Sequence, residues 1–328
     1  MNLLLVATDL AHFVPRSETA EAVSSLERAL RLLGHDLTLV LPRLAGFESA
    51  GLMVARRLTP LSLPGNVEAH VYEASLPSGA RLVLLDSSGV DWNLLGDASV
   101  PAETLAPVWG RFSDAVAALV AERGESETAL DVIHLHDASA GFVLHKLRQR
   151  GVEIPVVLTV HDAARSGEFS VESASALGLD TNSSGAADFR VGSGVSVLQG
   201  ILPLADGVLV PSASYATALE SASRFGALST AFHGNPAVGV LGGVDHAVFN
   251  PSTDTALPHR YDAEDTSNKA RCKTKLQEEL GLRFDVAFPL FFFDDAEPGS
   301  GALELVVSNL VSIVRLGAGI VIASSRPP

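Results

Sequence analysis

Asn2-Leu3-Leu4-Leu5-Val6-Ala7 and Leu37-Thr38-Leu39-Val40-Leu41-Pro42 bracket the first structural unit of the chain. The first run is short and continuously apolar, the pattern of a strand buried on both faces of a sheet. Between the two runs, Ser17–Leu33 places Ala22, Leu26, Ala29, Leu30 and Leu33 on one face of a helix. Gly34 supplies the left-handed stop, and His35-Asp36 leads into the second strand, which Pro42 ends. Two strands joined through a helix within about 40 residues form a crossover unit and run parallel. The spacing therefore predicts an α/β chain with a Rossmann-like, doubly wound parallel sheet.

The pattern continues outward from this unit. Val67–Glu73 and Ala80–Asp86 alternate around Leu76-Pro77-Ser78-Gly79, which predicts a hairpin. Pro107–Arg123 reads as a helix, Asp131–His136 as a buried strand, Ala140–Gln149 as a helix and Pro155–Val160 as a strand. Ser166–Ser193 is rich in Ser, Gly and Ala with weak periodicity and is expected to be an irregular loop. Val195–Leu204 reads as a helix, Gly207–Val210 as a strand and Ser214–Arg224 as a helix.

Near Gly239–Pro251 the character changes, and a domain boundary is expected there: residues 1–240 form the first domain, and 241–328 a linker with a truncated second α/β domain. In the latter, Asp265–Leu280 is a polar helix with Lys273, Lys275, Glu278 and Glu279 outward. Phe288–Phe293 is a strand, Leu303–Leu316 a helix and Gly319–Ala323 a strand. One such unit is too small to bury its own apolar faces. Docking on the first domain, a protein partner, self-association or a missing remainder of the domain would each cover it.

Composition narrows the class. Of 328 residues 47% are apolar and 19% charged, which is globular. A net charge of −15 and a pI near 5.0 argue against nucleic acid and anionic membrane as partners. Any diphosphate site would need its own cluster of cations or helix N-termini. Cys272 is the one cysteine, so no intrachain disulfide forms, as in a reducing compartment. The N-terminus lacks a basic leader and no apolar run reaches membrane-spanning length, so a cytoplasmic location is expected. Dinucleotide, P-loop and nucleophile-elbow fingerprints are missing.

Several stretches, in order, carry a resemblance. They are Leu33-Gly34-His35-Asp36 after the first helix, His136-Asp137-Ala138-Ser139, Thr159-Val160-His161-Asp162, and Ala205-Asp206 through Ser212-Ala213-Ser214-Tyr215-Ala216. The series ends with Gly243-Val244-Asp245…Phe249-Asn250-Pro251-Ser252-Thr253-Asp254, then Tyr261, Lys273-Thr274-Lys275-Leu276-Gln277, Leu280-Gly281-Leu282 and Pro289-Leu290-Phe291. Together they resemble the glycogen and starch synthases of glycosyltransferase family 5, across nearly the whole chain. The resemblance implies a GT-B fold and a retaining glucosyl transfer from ADP-glucose to an α-1,4-glucan, without a metal or other cofactor.

It also implies where the donor should bind, and there the sequence departs. The family's Lys-x-Gly-Gly loop aligns with Pro15-Arg16-Ser17-Glu18: Pro15 replaces the lysine, and Ser17 and Glu18 the glycines. Arg16, one position off, is the remaining donor-binding candidate. The family's second Arg and Lys fall on Ala296 and Gly301, in a loop that adds Asp294, Asp295 and Glu297. Acids beside a diphosphate oppose binding.

Asp137 and His161 match residues the family uses near the glucosyl unit and are the catalytic candidates. Each also has a structural alternative: Asp137 as a cap for the helix from Ala140, His161 as a strand-end residue bonding its own backbone. His134 and His136 point to one face and with Asp137 make a metal-type donor set, but strand-end histidines of the family motif explain them. His145, His233, His246 and His259 are expected at the surface. Two readings follow: a degenerate homologue acting as a binding or scaffold protein for ADP-glucose, α-glucan or a protein partner, or a glucosyltransferase half completed by another chain.

Overall fold

A computed structural model describes residues 1–11, 13, 18–96, 100–124, 129–181, 188–282, 285–295 and 302–324. Its first unit is Met1–Gly243 and its second Val244–Pro328.

Strand β1 (Asn2–Val6) pairs in parallel with β2 (Asp36–Pro42) through α1 (Glu18–Leu32), as the spacing predicts. Both strands are buried from end to end apart from their first residues, because helices cover a parallel sheet on its two faces. Gly34 ends α1 with φ of 84°. After a 3-10 turn at Ala45–Ala50 come three strands that the sequence reading only partly anticipates. They are β3 (Ala55–Arg56), β4 (Leu61–Leu63) and β5 (Val67–Ser75). Strand β5 forms the expected hairpin with β6 (Arg81–Ser87), and β6 returns in parallel beside β2.

Helix α2 (Ala102–Gly124) starts a turn earlier than expected and carries Pro107 inside it. Buried Ala106 and Val108 hold this turn against the core although the proline donates no hydrogen bond. Then follow β7 (Val132–His136), α3 (Asp137–Gln149) and β8 (Val156–Thr159). The stretch expected to be an irregular loop is partly ordered. It holds β9 (Glu168–Ser170), α4 (Val171–Leu177) and β10 (Arg190–Val191); β11 (Gly194–Ser196), just beyond it where a helix is expected from Val195, completes a small antiparallel sheet in the order β10-β11-β9. These pieces are too short to show periodicity. Local hydrogen bonding makes them instead, as where the Ser170 hydroxyl caps α4 by accepting the Ser173 N–H at 3.2 Å.

Helix α5 (Val197–Ile201), capped by Ser196, and a 3-10 turn lead to β12 (Gly207–Val210). The single helix expected over Ser214–Arg224 is two, α6 (Ala213–Leu219) and α7 (Ala222–Phe225). They are followed by α8 (Ala227–Gly234) and β13 (Val238–Gly239).

Among the described residues the main sheet runs β13-β12-β8-β7-β1-β2-β6-β5-β3, with β4 on β5. The strands from β13 to β6 are parallel. The chain leaves β1 toward β2 and β6, then returns to β7 on the other side of β1 and winds outward to β13. The sheet is therefore doubly wound, with its switch point between β1 and β7. In such sheets ligands bind beyond the carboxyl ends of the strands at the switch point.

The second unit holds α9 (Asn268–Glu279), β14 (Leu290–Asp295), α10 (Ala302–Arg315) and β15 (Gly319–Ser324), with β14 parallel to β15. Lys273, expected on the outward side, is half-buried, and its ammonium donates to the carbonyls of Val286 and Phe288. Gln277, one turn on and fully buried, donates to the Asp285 carbonyl at 3.2 Å. The same helix face satisfies the carbonyls of the loop entering β14. Among the described residues no helix is long and apolar enough to cross a membrane.

Candidate functional site

The switch point gathers side chains from β1, α1, β7, α3 and the segment after β8. Strand β7 ends at His136, and Asp137 takes φ of 58°, in the left-handed region that few residues other than glycine adopt. That turn does not make Asp137 the cap of a helix starting at Ala140; α3 starts at Asp137 itself. The carboxylate reaches sideways instead. Its Oδ1 accepts the backbone N–H of His161 at 2.7 Å and, more weakly, that of Asp162 at 3.4 Å. Its Oδ2 accepts the Thr19 hydroxyl at 3.0 Å, in the first turn of α1, where a negative charge is favoured.

The next amide is held from another element. The Tyr215 hydroxyl, on α6, accepts the Ala163 N–H at 2.9 Å. Burial pushes the Tyr215 phenol above its ordinary pKa, against a lowering by that hydrogen bond. Ser212 caps α6 through the Tyr215 N–H at 3.1 Å and so fixes the ring at the helix start. Three consecutive amides, 161 to 163, thus end on two side chains. On the β1 side, the hydroxyls of Thr8 and Ser139 meet at 3.2 Å.

Three imidazoles lie beneath this edge. His134 and His136 point to one face of β7, as their alternation requires, with ring centroids 4.4 Å apart. His134 Nε2 is 2.7 Å from the Thr159 hydroxyl, and His136 Nδ1 is 3.1 Å from His161 Nε2. Burial, reinforced by His161, lowers His134 to about 4. Burial, then His134 and His161, lowers His136 well below the usual range, so both rings are neutral at neutral pH. Among the described residues no group of three or more His, Cys, Asp or Glu side chains is placed to hold a metal ion.

Among the described residues, two arginines on the same edge sit beside carboxylates. Arg43, just past β2, lies 3.1 Å from Asp86 and 3.1 Å from Glu48, with its guanidinium over the Tyr72 ring. Arg165 lies 3.7 Å from Asp162. Pro15, Arg16, Ser17, Ala296 and Gly301 lie outside the described residues; Glu18 opens α1.

The sequence brings Asp137 and His161 forward, and the fold sets them side by side. Thr19 and Thr8 carry no sequence signal, since only the parallel crossover brings them to β7. His145 is a correction: it is buried, not at the surface, between Phe142 and Phe189 at 5.3 and 5.0 Å. Helix α3 is covered on several sides, by α2 and α5 as well as the sheet, so its spacing shows no outward stripe to assign His145 to.

Comparison with known proteins agrees with this architecture. The family model for the starch synthase catalytic domain matches residues 2–232. A glycogen synthase of Treponema denticola is 27% identical over 313 residues, covering 89% of this chain and 61% of that protein. One from a Marinomonas species is 27% identical, covering 99% of this chain and 70% of that protein. The chain thus spans between three fifths and seven tenths of these relatives' length. The solved catalytic domain of starch synthase IV from Arabidopsis thaliana, bound to ADP and acarbose, superposes with a TM-score of 0.83 at 21% identity, over 98% of this chain and 68% of that one. That likeness matches the expected GT-B type of α/β fold. With the family model covering most of its length, the chain belongs to the starch synthase catalytic domain family.

Proposed function

We propose that this chain is a glycogen/starch synthase-like protein whose donor site is degenerate, and that it acts as a glucan-binding or scaffold pseudoenzyme. The family reaction moves glucose from ADP-glucose to an α-1,4-glucan, and its leaving diphosphate must be neutralised by fixed cations and backbone donors. The observation that carries the reading is the pairing of Arg43 with Asp86 and Glu48 along the carboxyl edge of the sheet. A diphosphate arriving there would compete with Asp86 and Glu48 for this cation. Pro15, Ser17, Glu18, Ala296 and Gly301, where the family pattern has Lys, Gly, Gly, Arg and Lys, support the same conclusion. A cytoplasmic location belongs to this reading on composition alone.

Titration calorimetry with ADP, ADP-glucose, acarbose and maltoheptaose tests it. Heat with the sugars and none with either nucleotide at millimolar concentration is expected, with no glucose transferred to glycogen. Micromolar binding of ADP-glucose would overturn it and restore Arg16 as a donor residue.

A second reading, a transferase half completed by a partner chain, is favoured by one observation. Helix α10 exposes Val307, Val311 and Val314, one apolar stripe at i, i+4 and i+7. Co-expression with a polypeptide supplying the rest of the family's second domain should then yield glucosyl transfer. A soluble complex without activity retires that reading.

A further inference from the structure

The contact between His136 and His161 fixes more than a distance. Ring centroids 5.4 Å apart, planes 15° apart and an Nδ1 to Nε2 separation of 3.1 Å describe two rings meeting edge to edge in nearly one plane. That is the geometry of a single in-plane N–H···N bond, with one ring donating and the other accepting. His136 is 2% exposed, and its other nitrogen, Nε2, is buried with no protein partner among the described residues.

Two placements of the His136 proton are available. If His136 carried its proton on Nε2, that N–H would be a buried donor without an acceptor, and orphaned buried N–H groups are rare and costly. If the proton sits on Nδ1, the hydrogen bond uses it and only a lone pair faces the apolar surroundings. We propose that His136 is a positioning residue: it donates from Nδ1 to His161 Nε2 and thereby holds His161 as the Nδ1–H tautomer. His161 then has an N–H donor on the nitrogen not engaged with His136. An isolated neutral histidine favours the opposite tautomer, so the partner sets the outcome. His134, stacked on His136 and anchored to Thr159, restrains the donor ring. A donor at this place suits a sugar hydroxyl oxygen, and this part of the inference rests on the function proposed above.

Long-range proton–nitrogen correlation spectra of the full chain, labelled with nitrogen-15, read the tautomers directly at neutral pH. His161 is expected to be protonated on Nδ1 and His136 likewise. His136→Asn, whose amide N–H can stand where Nδ1 stood, should preserve the His161 tautomer. His136→Leu should shift it toward the Nε2–H form. Protonation of His161 on Nε2 in the unsubstituted chain overturns the proposal whether or not the leucine variant folds, and so does a His161 tautomer unmoved by a folded His136→Leu. Neither result depends on sugar or nucleotide binding, so a chain that binds no glucan can still carry the predicted tautomer.

Discussion

Asp137 and His161 are joined through carboxylate and main chain: the Asp137 Oδ1 accepts the His161 N–H at 2.7 Å. The residue type that promises acid–base chemistry is used here to hold a backbone. It ties the end of β7 to the end of β8, and through Thr19 both to α1. The left-handed turn at Asp137 aims the carboxylate sideways, and such strain persists where surrounding bonds over-determine it.

Replacing this carboxylate separates its acceptor role from its charge. Asp137→Ala should destabilise the first unit by about 2–3 kcal/mol, from amides left unpaired and an alanine in the left-handed region. Asp137→Asn keeps an acceptor for the His161 amide and should cost less than about 1 kcal/mol. Hydrogen exchange at residues 161 and 162 checks this, and equal protection loss in both variants would contradict it.

Tyr215→Phe removes the acceptor for the buried Ala163 amide while keeping the ring against Phe225. A loss of about 1–2 kcal/mol is expected, with faster exchange at Ala163 and little change at His161. Uniform acceleration across the segment would show that the two anchors act as one.

Acid should destabilise the chain early. Burial, chiefly, holds His134 and His145 down to about 4 in the folded state against an ordinary 6.5, and it also lowers His136 well below the usual range. The unfolded chain therefore binds more protons between about 6.5 and 4, so stability is full above that window and falls as pH drops through it. Each group contributes up to about 1.4 kcal/mol per pH unit. Urea midpoints measured across the window check the slope, and His145→Leu should reduce it by one proton; a flat profile down to pH 4 (the lower end of the window) would refute the assignment.

The apolar stripe of α10 predicts self-association or dye binding by the isolated chain. Leu303, Val306, Leu310 and Ile313 are half-buried, while Val307, Val311 and Val314 face outward. A helix apolar on both sides is one built to be covered. Val307→Ser with Val311→Ser should lower the apparent mass in light scattering and the binding of a hydrophobic dye. If both stay unchanged, the stripe is not the adhesive surface.

Legibility followed the range of the interactions. Strands β1 and β2 and helix α1 were readable because buried parallel strands are apolar runs and a helix facing a core carries a stripe. The hairpin was readable from a turn around Gly79, which takes φ of 85°. The small sheet from Glu168 to Ser196 was not, since its strands are held by hydroxyl caps and short pairings, not by periodic burial. At the site, Asp137 and His161 stand out through the family resemblance, as matches to residues near the glucosyl unit. Their link to Thr19, and the hold of Tyr215 on Ala163, depend on which strands become neighbours, and no local pattern encodes that.

The winding order also governs how the chain comes off the ribosome. Leu3 has Leu37 on one side soon after synthesis, but its other neighbour is Val132. At roughly 5–20 residues per second, that flank of β1 waits on the order of ten seconds with its hydrogen-bonding groups unpaired. Nascent chains whose β7 is still inside the ribosome should be open to protease and held by chaperones, and those with β7 and β8 both emerged should resist. The central strand of the finished protein is thus, for a time, its most vulnerable edge.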